Sequence, residues 1–124
     1  AAIEAGADAI VVSNHGGRVM DTMPGTAEVL PEIANVVAGR VKILVDGGVR
    51  EGIDILKMLA LGADAVMIGR PICIAAFGAA QEGVEFYLDQ KRSELKKAMI
   101  LTGCADINHI DPSIIVRGSK GQLH

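Results

Sequence analysis

Gly62-Ala63-Asp64-Ala65-Val66-Met67-Ile68-Gly69-Arg70-Pro71 is the stretch on which the fold turns. Its glycine reads as a helix stop, its apolar run as a strand buried on both faces, and its Gly-Arg-Pro as the loop that follows. The first four residues echo Gly6-Ala7-Asp8-Ala9, which again leads into an apolar run. Each copy marks a helix-to-strand joint in a βα array. Working outward, strands are expected over 8–13, 41–45 and 64–68. A helix over 26–38 starts or kinks at Pro31 and carries Val29, Ile33 and Val36 on one face. A second, over 51–61, turns Ile53, Leu56 and Ala60 inward. A short helix after Pro71 precedes a longer one from Val84 to Leu101, with Val84, Leu88, Leu95 and Met99 facing the body. Asp89, Lys91, Arg92, Glu94, Lys96 and Lys97 then form its solvated face. Alternating strands and helices with short loops imply a parallel α/β sheet with right-handed crossovers. A doubly wound sheet and a barrel both satisfy that pattern.

Composition narrows the function classes. Half of the 124 residues are hydrophobic, at 50%. No apolar run reaches the roughly 18 residues of a membrane-spanning segment. The net charge of −3 and the lack of a large basic cluster argue against nucleic acid as a partner. Cys73 and Cys104 have no metal or redox spacing; they read as buried small hydrophobes and suit a cytoplasmic location. His109 and Asp111 lack a third partner spaced for a metal. The chain opens on Ala1-Ala2-Ile3-Glu4-Ala5-Gly6, which reads as the last turn of a helix. The expectation is therefore a piece of a longer protein. In the tail, Ile114-Ile115-Val116 is expected to dock on the body, and Arg117 to His124 to be disordered.

The chemistry sits just after the strands. The first ends in Ser13-Asn14-His15-Gly16-Gly17-Arg18, the second in Asp46-Gly47-Gly48-Val49-Arg50, and the third in Gly69-Arg70-Pro71. In a βα barrel these loops share the active-site rim. Gly47 and Gly48 let backbone amides approach an anion, and the helix that begins near Arg50 is expected to add its N-terminal amides and dipole. Arg50 and Arg70 are charged donors suited to phosphate. An imidazole such as that of His15 can take a proton from a hydroxyl, while Arg18 can clamp a carboxylate with two parallel hydrogen bonds. A base beside a carboxylate clamp suits a 2-hydroxy acid. The blander alternative is that the glycines only make tight turns and the arginines only pair with surface acids.

Ser-Asn-His-Gly-Gly-Arg at 13–18, Leu-Val-Asp-Gly-Gly-Val-Arg at 44–50 and Ile-Gly-Arg-Pro at 68–71 resemble the FMN-dependent α-hydroxy-acid oxidases and dehydrogenases, the glycolate oxidase and lactate oxidase family. The resemblance runs from Ala1 to about Ile110. It implies the last three βα units of a TIM (β/α)8 barrel over residues 1–110, with a C-terminal tail over 111–124. It implies FMN as cofactor and oxidation of a small 2-hydroxy acid to the 2-oxo acid. His15 would be the catalytic base and Arg18 the substrate-carboxylate ligand. Ser13 would contact the flavin. Asp46, Gly47, Gly48, Val49 and Arg50 would hold its ribityl and phosphate part, and Gly69 with Arg70 would complete the phosphate grip.

The family pattern also has a lysine near the flavin, an aspartate that orients the histidine, and tyrosines lining the substrate site. These would come from before residue 1, and Tyr87, on a peripheral helix, cannot replace the tyrosines. An isolated piece is expected to lack full activity. With two open sheet edges it is expected to need the missing N-terminal half of the barrel or to self-associate. Two alternatives stand beside this reading: another FMN- or phosphate-binding barrel, an isomerase or IMP-dehydrogenase-like enzyme, and an inactive truncated fragment.

Overall fold

The computed structural model describes residues 1–116. The expectation for Arg117 to His124 lies outside the described residues. Three parallel strands, β1 (Ala9–Val12), β2 (Lys42–Val45) and β3 (Ala65–Val66), form one sheet in the order β1-β2-β3. Helix α1 (Thr26–Val37) joins β1 to β2 and α2 (Gly52–Ala60) joins β2 to β3, while α3 (Arg70–Thr102) follows β3.

The two echoed glycines do the same job. Gly6 and Gly62 adopt φ of 84° and 111°, where a Cβ is costly. The amides of Gly6 and Ala7 bond the Ile3 and Ala2 carbonyls at 3.0 and 3.1 Å, and those of Gly62 and Ala63 bond Leu59 and Met58 at 3.0 and 3.2 Å. This crossed pair of bonds closes a helix end and aims the chain into the next strand.

Strand register decides between the two sheet architectures. Ile10 pairs with Ile43, Val12 with Val45, and Val45 with Val66, so these side chains share one face. That face, with Leu30, Val37 and Met58 from α1 and α2, makes the core. The opposite face carries Ala9, Val11, Leu44 and Ala65 and, among the described residues, has no helix on it; Val11 is 54% exposed. Both crossover helices thus lie on one side, as in a barrel wall and unlike a doubly wound sheet. The strands are consequently not buried on both faces as their apolar runs suggest. β3 is also shorter than the expected 64–68, since only Ala65 and Val66 pair in the ladder with β2.

Other differences have local causes. α1 begins at Thr26 and runs through Pro31, its sixth residue, where the helix gives up the bond that an amide would make to the Ala27 carbonyl. Its buried line is Leu30 and Val37, while Val36 is 67% exposed, so the apolar face is rotated by one residue from the expected one. α3 is one long element interrupted at Ala79 and Ala80, where φ/ψ of −153°/33° and 47°/−128° break the helical path. Along it Val84, Leu95 and Met99 are half-buried, but Leu88 is 45% exposed. Lys91, expected in solvent, is buried at 7% exposure because it reaches Glu94 and the Tyr87 ring. Cys73 is exposed and Cys104 half-buried, so neither is the buried hydrophobe expected. Ile114 and Ile115 are half-buried; Val116 is exposed. Among the described residues, no helix is long and apolar enough to cross a membrane.

Candidate functional site

The loops after β1, β2 and β3 open onto one cleft of about 670 Å³. Ser13, His15 and Arg18 line it from the first loop. Asp46, Gly47, Gly48, Val49 and Arg50 line it from the second, and Gly69 and Arg70 from the third. All ten residues singled out from the sequence therefore share one hollow. Met67, Pro71 and Ile74 give it an apolar side.

The first loop coils tightly. Asn14 caps a single 3-10 turn, its side chain accepting from the Gly16 amide at 3.1 Å. The His15 amide donates to Ser13 Oγ at 3.2 Å. His15, Gly16 and Gly17 take φ of 56°, 68° and 72° in succession. Such a run is costly for the histidine and easy for the glycines. It turns the imidazole back toward Arg18, whose Nη2 lies 2.6 Å from His15 Nε2. A guanidinium only donates, so Nε2 is the accepting nitrogen in this contact. Arg70 crosses from the third loop, and a Cβ on Gly16 would lie 3.1 Å from its Nη2.

The second loop offers donors and one lone acceptor. Among the described residues, the amides of Gly47, Gly48, Val49, Gly69 and Arg70 donate to no protein acceptor, and the guanidinium groups of Arg50 and Arg70 pair with no carboxylate. Asp46 Oδ1 is buried with no hydrogen-bond partner. Cationic and amide donors beside an unsatisfied carboxylate oxygen suit a ligand with a phosphate at one end and hydroxyls along its length.

The first amides of α2 do not join this cradle, contrary to expectation. Asp54 Oδ2 accepts from Arg50 and Glu51 at 3.2 and 3.1 Å, and Glu94 Oε2 accepts from Gly52 at 2.7 Å. The helix satisfies its own N-terminus with carboxylates. Attraction for an anion rests instead on the glycine turn and the two arginines.

Two supports were not legible as site residues. Thr26, at 5% exposure, donates from Oγ1 to the Asp46 carbonyl at 2.6 Å. A threonine after Gly25 reads as a helix start, and nothing nearby signals that its hydroxyl serves the next strand. Lys91 and Glu94 sit in a charged helical run whose pattern looks solvated.

Known proteins are similar to this chain in sequence and in fold. Residues 1–117 match the family model of the FMN-dependent dehydrogenases. A 2-hydroxyacid oxidase of Dictyostelium discoideum is 54% identical over 92% of this chain and 29% of its own length. An L-lactate oxidase of Lactobacillus jensenii is 53% identical over 89% of this chain and 28% of its own. A solved mandelate oxidase mutant holding a monooxide FMN adduct superposes with a TM-score of 0.86 at 46% identity, covering 90% of this chain and 35% of that one. The chain thus spans about a third or less of these relatives. Its three βα units form part of a TIM barrel, and the family's cofactor, FMN, fits the residues present: unpaired arginines and free amides for the phosphate, Asp46 Oδ1 for a hydroxyl. The chain belongs to the FMN-dependent dehydrogenase family.

Proposed function

We propose that this chain supplies the base and the phosphate-side half of an active site that oxidises a small 2-hydroxy acid to its 2-oxo acid, within a complete barrel. The observation that carries the reading is the 2.6 Å contact between Arg18 Nη2 and His15 Nε2 at the mouth of the cleft that also holds the anion cradle. The arginine donates to the same nitrogen that would receive the substrate proton. A carboxylate entering the cleft offers the guanidinium a better, charge-assisted acceptor. Arg18 then clamps the carboxylate and leaves Nε2 free to take the hydroxyl proton, which requires an approach of about 3 Å. FMN, when bound, supplies the two-electron acceptor. Asp46 through Arg50 bind its ribityl and phosphate end, Gly69 and Arg70 complete the phosphate contacts, and Ser13 touches the flavin. The L-lactate oxidase among the relatives favours a substrate of lactate size, and glycolate is a smaller 2-hydroxy acid of the same class. The remaining barrel units, or self-association, would cover the open sheet face. Residues 1–110 would form the barrel part and 111–124 the tail, in a reducing cytoplasm that suits two free thiols.

The test is His15→Ala in the complete flavoprotein, followed by anaerobic bleaching of the flavin with lactate and glycolate. Loss of a general base should slow reduction by about 100-fold or more. Reduction at a nearly unchanged rate would refute the proposed role and favour a different FMN- or phosphate-binding barrel enzyme.

A further inference from the structure

The loop between β2 and α2 hangs from fixed points. Its start is held by the Asp46 amide on the Val12 carbonyl at 3.2 Å and by Thr26 Oγ1 on the Asp46 carbonyl at 2.6 Å. Val49, at 4% exposure, is rooted in the core. Its far end is held by α3: Glu94 Oε2 accepts the Gly52 amide at 2.7 Å. Between these anchors lie Gly47, Gly48 and Arg50, which face the cleft.

The α3 anchor is unusually specific. α3 lies so close to α2 that a Cβ on Gly52 would stand 2.2 Å from the Leu95 amide nitrogen and 2.5 Å from Glu94 Cβ. Lys91 Nζ bonds both Glu94 oxygens at 2.7 Å and sits 5.2 Å from the centre of the Tyr87 ring. The lysine is buried and its only acidic partner among the described residues is Glu94. Lys91 fixes the carboxylate rotamer, and the carboxylate fixes the backbone two residues past Arg50. The hydrogen bond from Lys91, opposed by burial, holds the Glu94 carboxyl below the usual carboxylate range, so the group stays a charged acceptor. A pair that only joined two helices would have no need to end on the first amide of α2.

We infer that Lys91 and Glu94 are positioning residues for the cofactor-phosphate loop, acting through the Gly52 amide on Gly47, Gly48 and Arg50. The inference rests on the reading of this loop as the FMN phosphate site. The experiment compares two double variants of the complete flavoprotein, Lys91→Met with Glu94→Gln and Lys91→Met with Glu94→Leu. Both remove the charges of the pair, and only the glutamine keeps an acceptor for Gly52. Dissociation constants for FMN and for riboflavin are measured by quenching of flavin fluorescence. Their ratio reports the phosphate contacts alone, which a general loosening of the fold would not move. The riboflavin-to-FMN ratio of dissociation constants should stay near the wild-type value with glutamine and fall about tenfold with leucine, as expected for loss of one hydrogen bond that holds a charged site. Equal ratios in the two variants would overturn the inference. If the leucine variant does not fold, Glu94→Asp, which draws the acceptor back from Gly52 and keeps the charge, gives the same two outcomes. A wild-type protein that binds FMN no better than riboflavin would instead defeat the phosphate-site reading.

Discussion

His15 occupies φ of 56° at the lip of the cleft, and two glycines follow it in the same left-handed region. The glycines advertise a tight turn in the sequence. The strained histidine does not, because any residue can precede a glycine pair. The same asymmetry governs Gly47. Its φ of 98° and a would-be Cβ only 2.8 Å from Thr26 Oγ1 leave no room for a side chain. Gly47→Ala in the complete protein should cost about 1–3 kcal/mol, read from the urea midpoint, and should weaken FMN binding as Thr26 gives way. An unchanged midpoint would mean that the turn has other conformations open to it. Motif residues on the rim were legible since their chemistry sits in glycine-rich runs. Thr26, Lys91 and Glu94 were not, since what they do depends on which element packs above them.

At the scale of elements, α3 shows what periodicity misses. Ala80 has φ 47° and ψ −128°, a conformation in which a Cβ clashes with its own backbone. Ala80→Gly should therefore stabilise the protein by about 1 kcal/mol, seen as a higher thermal midpoint. The second βα joint makes a pH prediction. Lys42 Nζ and the Ile43 amide bond the Asp64 carboxylate at 2.6 and 2.9 Å. Those bonds, the lysine's first, hold its pKa below the usual carboxylate range. A group whose folded-state value is depressed stabilises fully above its unfolded value, about pH 4, and this contribution fades as pH falls through the folded value. Asp64→Asn should lower the unfolding midpoint at pH 7, with the deficit shrinking below about pH 4. A deficit independent of pH would show that the carboxylate's charge is irrelevant there. The βα order was plain from the echoed glycine joints. The phase of α1 was not, since Val29, Leu30, Ile33, Val36 and Val37 allow more than one apolar face.

For the whole molecule, the decisive feature is the uncovered side of the sheet. Val11 stands 54% exposed there, and Phe77 and Phe86 on α3 are 94% and 73% exposed. Apolar surface of that kind, together with two free strand edges, favours association. Sedimentation velocity of the 124-residue chain at micromolar concentration should show species heavier than a monomer; a single sharp monomer boundary would contradict this. Alternation of strands and helices left barrel and doubly wound sheets equally open, and only the placement of both crossover helices on one side separates them.

The guanidinium groups of Arg18, Arg50 and Arg70, none paired with a carboxylate among the described residues, also have a reach beyond the atoms they touch. The chain carries a net charge of −3, yet these three cations gather at one mouth. Field lines converge into that opening while the surrounding surface repels like charge. Small anions would be guided to the entrance during their diffusive search, and added salt would blunt that guidance by shortening the distance over which it acts.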